Sequence, residues 1–260
     1  MIFLHRCPAA PLNVFVNTLW YCAGYEASHR RERVLPSGAF QIVIDLMASG
    51  TASLVIGAQS KSGVIETAAL KSVAGLAFKP GGARAFFAEP ADDFFNRHVE
   101  LDLVWGSMAA ELRERLQAAA AVDAADVLRV LESALQPRAR ERAGVDVHRA
   151  VRYALSQFHV PNGHRVLDIA ADTGLSHRRF AEIFRESVGV TPKLYCRLQR
   201  LRNVLRHISL SEDVDWVDIA LACGYYDQAH FAHEFHEFSG MSPTAYLSRH
   251  RPWPTHVAID

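Results

Sequence analysis

The residues best equipped for chemistry lie close together near the end of the chain. In GYYDQAHFAHEFHEFSGMSPTAY, Gly224 to Tyr246, three histidines, His230, His233 and His236, recur every third residue. Imidazole can ligate a metal, move a proton or donate a hydrogen bond, so spacing has to decide among these roles. Helical metal pairs favour i and i+4, as in HExxH, whereas i, i+3, i+6 steps each ring about 60° around the axis and spreads the three over about 120°. HEFHE, His233 to Glu237, is one residue short of HExxH. The spacing predicts one face of a helix and no metal ligands.

No other stretch carries a catalytic pattern. His5, His29 and His98 are scattered through the first hundred residues, which leaves a metal-dependent β-barrel enzyme without the clustered ligands it needs. Asp45, Asp92 and Asp93 read as surface or capping carboxylates. Neither a GxSxG motif nor a Cys/His nucleophile signature is present. KPGGARAFF, Lys79 to Phe87, leaves an apolar run through a glycine pair. A phosphate cradle is conceivable at such a turn, but without a GxGxxG or Walker pattern it predicts a plain strand-to-helix connection.

The elements that must hold these residues have two textures. Half of the 260 residues are hydrophobic, enough for a substantial core. The formal net charge is zero, which by itself argues against a nucleic-acid partner, because phosphates are neutralised by Lys and Arg. The distribution differs from the total. Residues 1–137 hold 12 Lys+Arg against 14 Asp+Glu, while 138–260 hold 16 against 14, nearly all the cations arginine, with ten of the thirteen histidines. Cys7, Cys22, Cys196 and Cys223 form no CxxC pair and are too sparse for a disulfide framework, which fits a reducing cytoplasm. Pro8, Pro11, Asn13 and Asn17 interrupt the first apolar stretches, so neither a membrane span nor a cleaved signal peptide is expected.

From Trp20 to Phe78, short β-prone runs (RVLP, FQIVIDL, SLVIG, GVIE, SVAGLAF) alternate with the breaks PSG, ASG and KSG, the pattern of a compact β-rich domain. Met108 to Ala120 and Asp126 to Leu135 then show helical spacing, with Leu112 and Leu116 on one face and Leu128, Leu131 and Leu135 on another. They are expected to pack on the β domain or to form a dimer seam. QPRARERAG, Gln136 to Gly144, is charged and apolar-poor and is the linker candidate. Beyond it Val147, Ala150, Val151, Ala154, Leu155 and Phe158 fall on one helical stripe, which VPNGH, Val160 to His164, should stop.

The second half repeats itself. Leu167 to Tyr195 lies over Val217 to Tyr246: Asp168, Ile169, Ala170 and Gly174 match Asp218, Ile219, Ala220 and Gly224 at an offset of 50. Phe180, Phe184, Gly189, Pro192 and Tyr195 match Phe231, Phe235, Gly240, Pro243 and Tyr246 at an offset of 51. Each copy reads as a short apolar helix, a glycine turn, and a second helix begun by Ser176 or Asp227 that buries Phe180, Ile183 and Phe184, or Phe231, Phe235 and Phe238. That is the helix-turn-helix plan. Between the copies, Lys193 to His207 reads as one long helix with Leu194, Leu198, Leu201, Val204 and Leu205 apolar and Arg197, Arg200, Arg202 and Arg206 around the rest.

The motifs IA…GLS…F…IFR…VG.TP..Y…RL and IA…CGY.DQ.HF…F…G.SP..Y together resemble the DNA-binding domain of the arabinose-regulator (AraC/XylS) family of bacterial transcription factors, over roughly residues 147–249. RRERVLPSG, Arg30 to Gly38, and GLAFKPGGA, Gly75 to Ala83, resemble a poorly characterised β-rich domain often fused to it. The resemblance implies that the first half senses an effector, dimerises, or both.

It also implies that the second helix of each unit enters the major groove, the two reaching successive segments about 34 Å apart or bending the DNA to do so. The DNA-facing candidates on the first are Ser176, His177, Arg178, Arg179, Ala181, Glu182 and Arg185, with Arg178 suited to guanine and Arg185 to phosphate. Glu182 departs from the family pattern, where a cation or neutral donor is common; it can accept from cytosine N4 or simply face solvent. On the second they are Asp227, Gln228, Ala229, His230, Ala232, His233 and His236, with Gln228 able to pair bidentately with adenine. This helix contributes no arginine, so its attraction to DNA should grow as histidines take up protons below about pH 6.5.

The expected protein is α+β with two domains: a β-rich, barrel-like domain with flanking helices over 1–135, a linker at 136–146, and an all-α domain over 147–249. The latter holds helix-turn-helix units at 166–188 and 216–239, joined by a long helix; a tail spans 250–260. The expected function is sequence-specific binding of double-stranded DNA by a non-enzymatic, cytoplasmic transcription regulator without cofactor or metal. Its expected partners are a small-molecule effector, a second copy in a homodimer and, for an activator, RNA polymerase. The alternative is an enzymatic or metal-dependent activity in the first domain, coupled to DNA binding.

Overall fold

The computed structural model describes residues 1–47, 53–142, 147–158, 166–210 and 214–260. The expected turn near 48–50, the end of the linker at 143–146 and the helix stop at Val160 to His164 lie outside these.

The strands are β1 (Ile2–Arg6), β2 (Val16–Ala23), β3 (Arg31–Val34), β4 (Gln41–Asp45), β5 (Ser53–Ile56), β6 (Gly63–Glu66), β7 (Ser72–Phe78), β8 (His98–Glu100) and β9 (His256–Ala258). The helices are α1 (Leu101–Trp105), α2 (Ser107–Ala120), α3 (Ala124–Glu141), α4 (Arg149–Phe158), α5 (Val166–Asp172), α6 (His177–Val188), α7 (Pro192–Leu210), α8 (Trp216–Ala222), α9 (Gln228–Ser239) and α10 (Pro243–Leu247). Among the described residues no helix is long and apolar enough to cross a membrane.

Six strands form an antiparallel sheet in the order β1-β2-β7-β4-β5-β8. β7 lies near its middle and is buried along almost its whole length, which explains why SVAGLAF reads as a nearly continuous small and apolar run. In β4 the period of two is clear: Ile42 and Ile44 are buried, and Gln41, Val43 and Asp45 are half-buried between them. α3 crosses β1, β2 and β7 and packs on α2, so the two leucine stripes close the core of this sheet. Burying a leucine there contributes about 2 kcal/mol before entropy is counted.

α3 overturns the expected start of the linker. It runs six residues beyond Leu135, through Pro137, because Ala139 continues the stripe of Leu128, Leu131 and Leu135 onto the sheet and is itself fully buried. Arg138 lies over the Trp105 ring, 4.7 Å from its centre. Packing of these residues outweighs the helix-breaking tendency of a single proline.

The tail is also more than a tail. β9 pairs antiparallel with β3, which pairs with β6, to form a second, three-stranded sheet built from both ends of the chain. Under it Glu32, 0% exposed, accepts hydrogen bonds from Tyr25 Oη at 2.5 Å, His29 Nε2 at 2.8 Å and His256 Nδ1 at 2.9 Å. Arg31 and Asp260 add an ion pair at 3.0 Å.

The helical half holds two cores. Phe180, Ile183, Phe184 and Tyr195 gather with Ala150, Val151 and Ala154 of α4 in one. Phe231, Phe235, Phe238 and Tyr246 gather with Leu201, Val204 and Leu205 of α7 in the other.

Candidate nucleic-acid interface

The two repeats fold alike, for reasons visible in their residues. α5 buries Ile169 and Ala170, and α8 buries Ile219 and Ala220. Each is followed by a turn with its glycine in the left-handed region, Gly174 at φ 71° and Gly224 at φ 81°, where a Cβ would be strained. The second helix of each then starts on a side-chain cap. Ser176 Oγ accepts from the Arg179 N–H at 3.3 Å, and Asp227 Oδ1 accepts from the His230 N–H at 2.7 Å. Losing such a cap costs about 1 kcal/mol.

The buried stripe of the second helix in each unit, α6 or α9, fixes which residues face outward. On α6, Ser176, His177, Arg178, Arg179 and Arg185 are exposed, and Ala181 and Glu182 half-buried. Arg178, with its side chain 91% exposed, donates from Nε to Glu182 at 3.0 Å, and Arg179 reaches the other carboxylate oxygen at 3.5 Å. The Arg178 hydrogen bond, helped by Arg179, holds the Glu182 carboxyl below the usual carboxylate range. Glu182 therefore screens the cations of its own helix in the free protein. Arg185 lies toward the N-terminal domain, where its Nε donates to Asp92 Oδ2 at 2.8 Å.

On α9, Gln228, Ala229, His233 and His236 are exposed and Ala232 is half-buried. The Asp227 carboxylate is occupied by the cap. His230 accepts the Tyr226 N–H on Nδ1 at 3.4 Å and rests edge-on against Tyr225, so its Nε2 is the atom left toward the outside, 4.0 Å from Glu234. The three histidines thus follow the helix face, and among the described residues no group of three His, Cys, Asp or Glu side chains is arranged to hold a metal ion.

Three features of the site escaped the sequence reading. Tyr226, 87% exposed, stands immediately ahead of the Asp227 cap, at the N-terminal end of α9. Arg197 and Arg200 of α7 turn inward and meet Glu234, whose side chain is only 5% exposed. Arg197 Nε donates to it at 2.7 Å and a terminal nitrogen of Arg200 at 3.0 Å, while Arg197 also reaches Glu237. Burial works against the Arg197 charge, but the Glu237 and Glu234 carboxylates outweigh it and hold the guanidinium above its usual range. The signal was present: Phe231, Glu234, Phe235 and Phe238 occupy i, i+3, i+4 and i+7, so Glu234 lies on the core stripe. The third feature, contact of both α6 and α9 with the N-terminal domain, has no sequence signature.

A family model described as a helix-turn-helix domain matches residues 169–249. A second, a domain of unknown function, matches residues 5–100. No curated protein matches the chain in sequence. Among solved structures the chain is similar to ToxT from Vibrio cholerae, in a crystal structure at 11% identity that covers 94% of this chain and 97% of that one, with a TM-score of 0.43. It is similar also to unsaturated fatty acid-bound wild-type ToxT from V. cholerae strain SCE256, at 11% identity over 94% of each chain and a TM-score of 0.44.

Proposed function

We propose that this chain, whose residues 169–249 are a helix-turn-helix domain of the arabinose-regulator type, is a sequence-specific transcription regulator. In this reading α6 and α9 enter successive major-groove segments. The observation that carries it is the duplication itself: two capped helices with buried aromatic stripes, their N-terminal turns exposed, joined by the single helix α7. Arg178 would exchange Glu182 for guanine O6 and N7, and Gln228 would pair with adenine N6 and N7. His177, Arg179, His233 and His236 would serve phosphates or base edges.

The N-terminal domain is taken to sense an effector, dimerise, or both. An open pocket of about 160 Å³ between α2 and α3, lined by Trp105, Met108, Leu112 and Leu135 together with Glu111, Arg115 and Arg138, supports the first.

Selection of binding sites from a random duplex library, followed by fluorescence anisotropy, tests the reading. A defined operator should emerge, and Arg178→Ala or Gln228→Ala should each weaken binding to it by about tenfold while relaxing the preference at one base pair. Failure of the full-length protein to enrich any sequence would refute it.

A further inference from the structure

The recognition helices end as similarly as they begin. Gly189 and Gly240, equivalent in the repeat, close α6 and α9 and donate their N–H groups to the carbonyls of Arg185 and His236 at 2.8 and 2.7 Å. At each of these ends the helix meets the N-terminal domain. On α6, Asp92 accepts from Arg185 at 2.8 Å, and the Ala91 carbonyl oxygen lies 3.1 Å from where a Cβ on Gly189 would stand. On α9, Arg33 donates to the Ser239 carbonyl at 3.0 Å. Ser62 donates its N–H to the Phe238 carbonyl at 3.0 Å and its hydroxyl to Ser239 at 3.4 Å. A Cβ on Gly240 would fall on the Arg33 guanidinium.

Two features make this more than incidental packing. The groups engaged on α9 are the orphan carbonyls of a helix C-terminus, met by a cation as the helix dipole favours. And the contacts fall on the C-terminal turns of both helices, leaving both N-terminal turns exposed, the part that a major groove would receive. β9, which follows the second unit, pairs with the strand that carries Arg33, so the grip on α9 is continuous with a sheet.

We infer that the N-terminal domain acts as a bracket that fixes the separation and rotation of the two reading helices, with Arg33 and Asp92 as its positioning residues. The inference rests on the DNA-reading role of α6 and α9 proposed above. α7 joins the two units through their cores; the bracket joins them at their helix ends. Two links hold a rotation that one helix alone leaves free to twist. The consequence is strict operator spacing, because one added base pair displaces a half-site by about 3.4 Å and turns it by about 34°.

The test uses the full-length protein on its selected operator and on the same operator with one base pair inserted between the two contacted segments. The wild type should lose at least about tenfold in affinity on insertion. Arg33→Met combined with Asp92→Asn should bind the parent operator but lose less than about threefold on insertion. Arg33→Lys, which keeps a donor near Ser239, should restore part of the discrimination. Melting and far-ultraviolet circular dichroism establish that each variant is folded, and if the double variant is not, Asp92→Asn alone decides from the α6 side. An insertion penalty equal to the wild type's in a folded variant that still reads its operator overturns the bracket while leaving DNA reading intact. Failure to obtain any operator would instead overturn the DNA reading and the bracket with it.

Discussion

Ile183 and Glu234 hold equivalent places in α6 and α9, 51 residues apart, and both are buried. The isoleucine needs only apolar neighbours. The carboxylate must be paired, since desolvating an unpaired charge costs several kcal/mol, and α7 supplies Arg197 and Arg200. Their guanidiniums also lie over the Phe238 and Tyr225 rings, at 4.8 and 5.2 Å. A directional cluster of this kind fixes how α9 is rotated on α7, which an apolar contact does not. Glu234→Ala is therefore expected to cost about 2–3 kcal/mol, below the full range for a buried pair because both arginines remain about a quarter exposed. Urea unfolding measures it, and a loss under about 0.5 kcal/mol would show that the cluster is energetically idle.

At the scale of elements, what could be read from the sequence was what is written locally. β3 to β7 were legible because alternating or small apolar runs are punctuated by turn residues, and both helix-turn-helix units were legible from caps, glycines and aromatic stripes. β9 was not, because HVA between prolines and the chain end has no pattern of its own and becomes a strand only by pairing with β3. The last turns of α3 were misread because Pro137 and four charged residues outweighed the single buried Ala139 in the sequence pattern, whereas in the fold packing decides. The outward face of each candidate helix was legible from its buried stripe; the partners of Arg178, Arg185, Arg197 and Arg200 were not, since ion pairs depend on which elements meet. α9 itself carries a prediction. Its outward positions hold His233 and His236 and no arginine, with Glu237 of the same face drawn to Arg197. On the reading proposed above these two imidazoles are its donors to DNA, so His233→Ala with His236→Ala should weaken operator binding by about tenfold in anisotropy titrations. An affinity equal to the wild type's would exclude both side chains as DNA contacts.

At the scale of the whole molecule, residues 250–260 tie the second helix-turn-helix unit to the first domain. Tyr246 of the second core donates to the Pro254 carbonyl at 2.6 Å, Trp253 packs against Tyr25 and His256, and His256 completes the set of donors around Glu32. Burial alone would raise the Glu32 pKa, but the hydrogen bonds from His256, Tyr25 and His29 outweigh it and bring the carboxyl down to about 2 from the ordinary 4.5. The unfolded chain therefore binds this proton more readily than the folded one. Glu32 stabilises the fold in full above about pH 4.5, and that contribution drains away as the pH falls toward 2. Glu32→Gln should lower stability at neutral pH and flatten its acid dependence by up to about 1.4 kcal/mol per pH unit over that window. Because His256 lies on β9, the same substitution should loosen the tail and raise hydrogen exchange at the Leu35 amide, which is bonded to the Thr255 carbonyl at 2.8 Å. Urea unfolding at several acidic pH values and exchange across residues 31–35 read the two effects together. An altered acid slope with unchanged exchange would separate the buried carboxylate from the tail, and would mean that β3 and β9 hold the two halves of the molecule together without it.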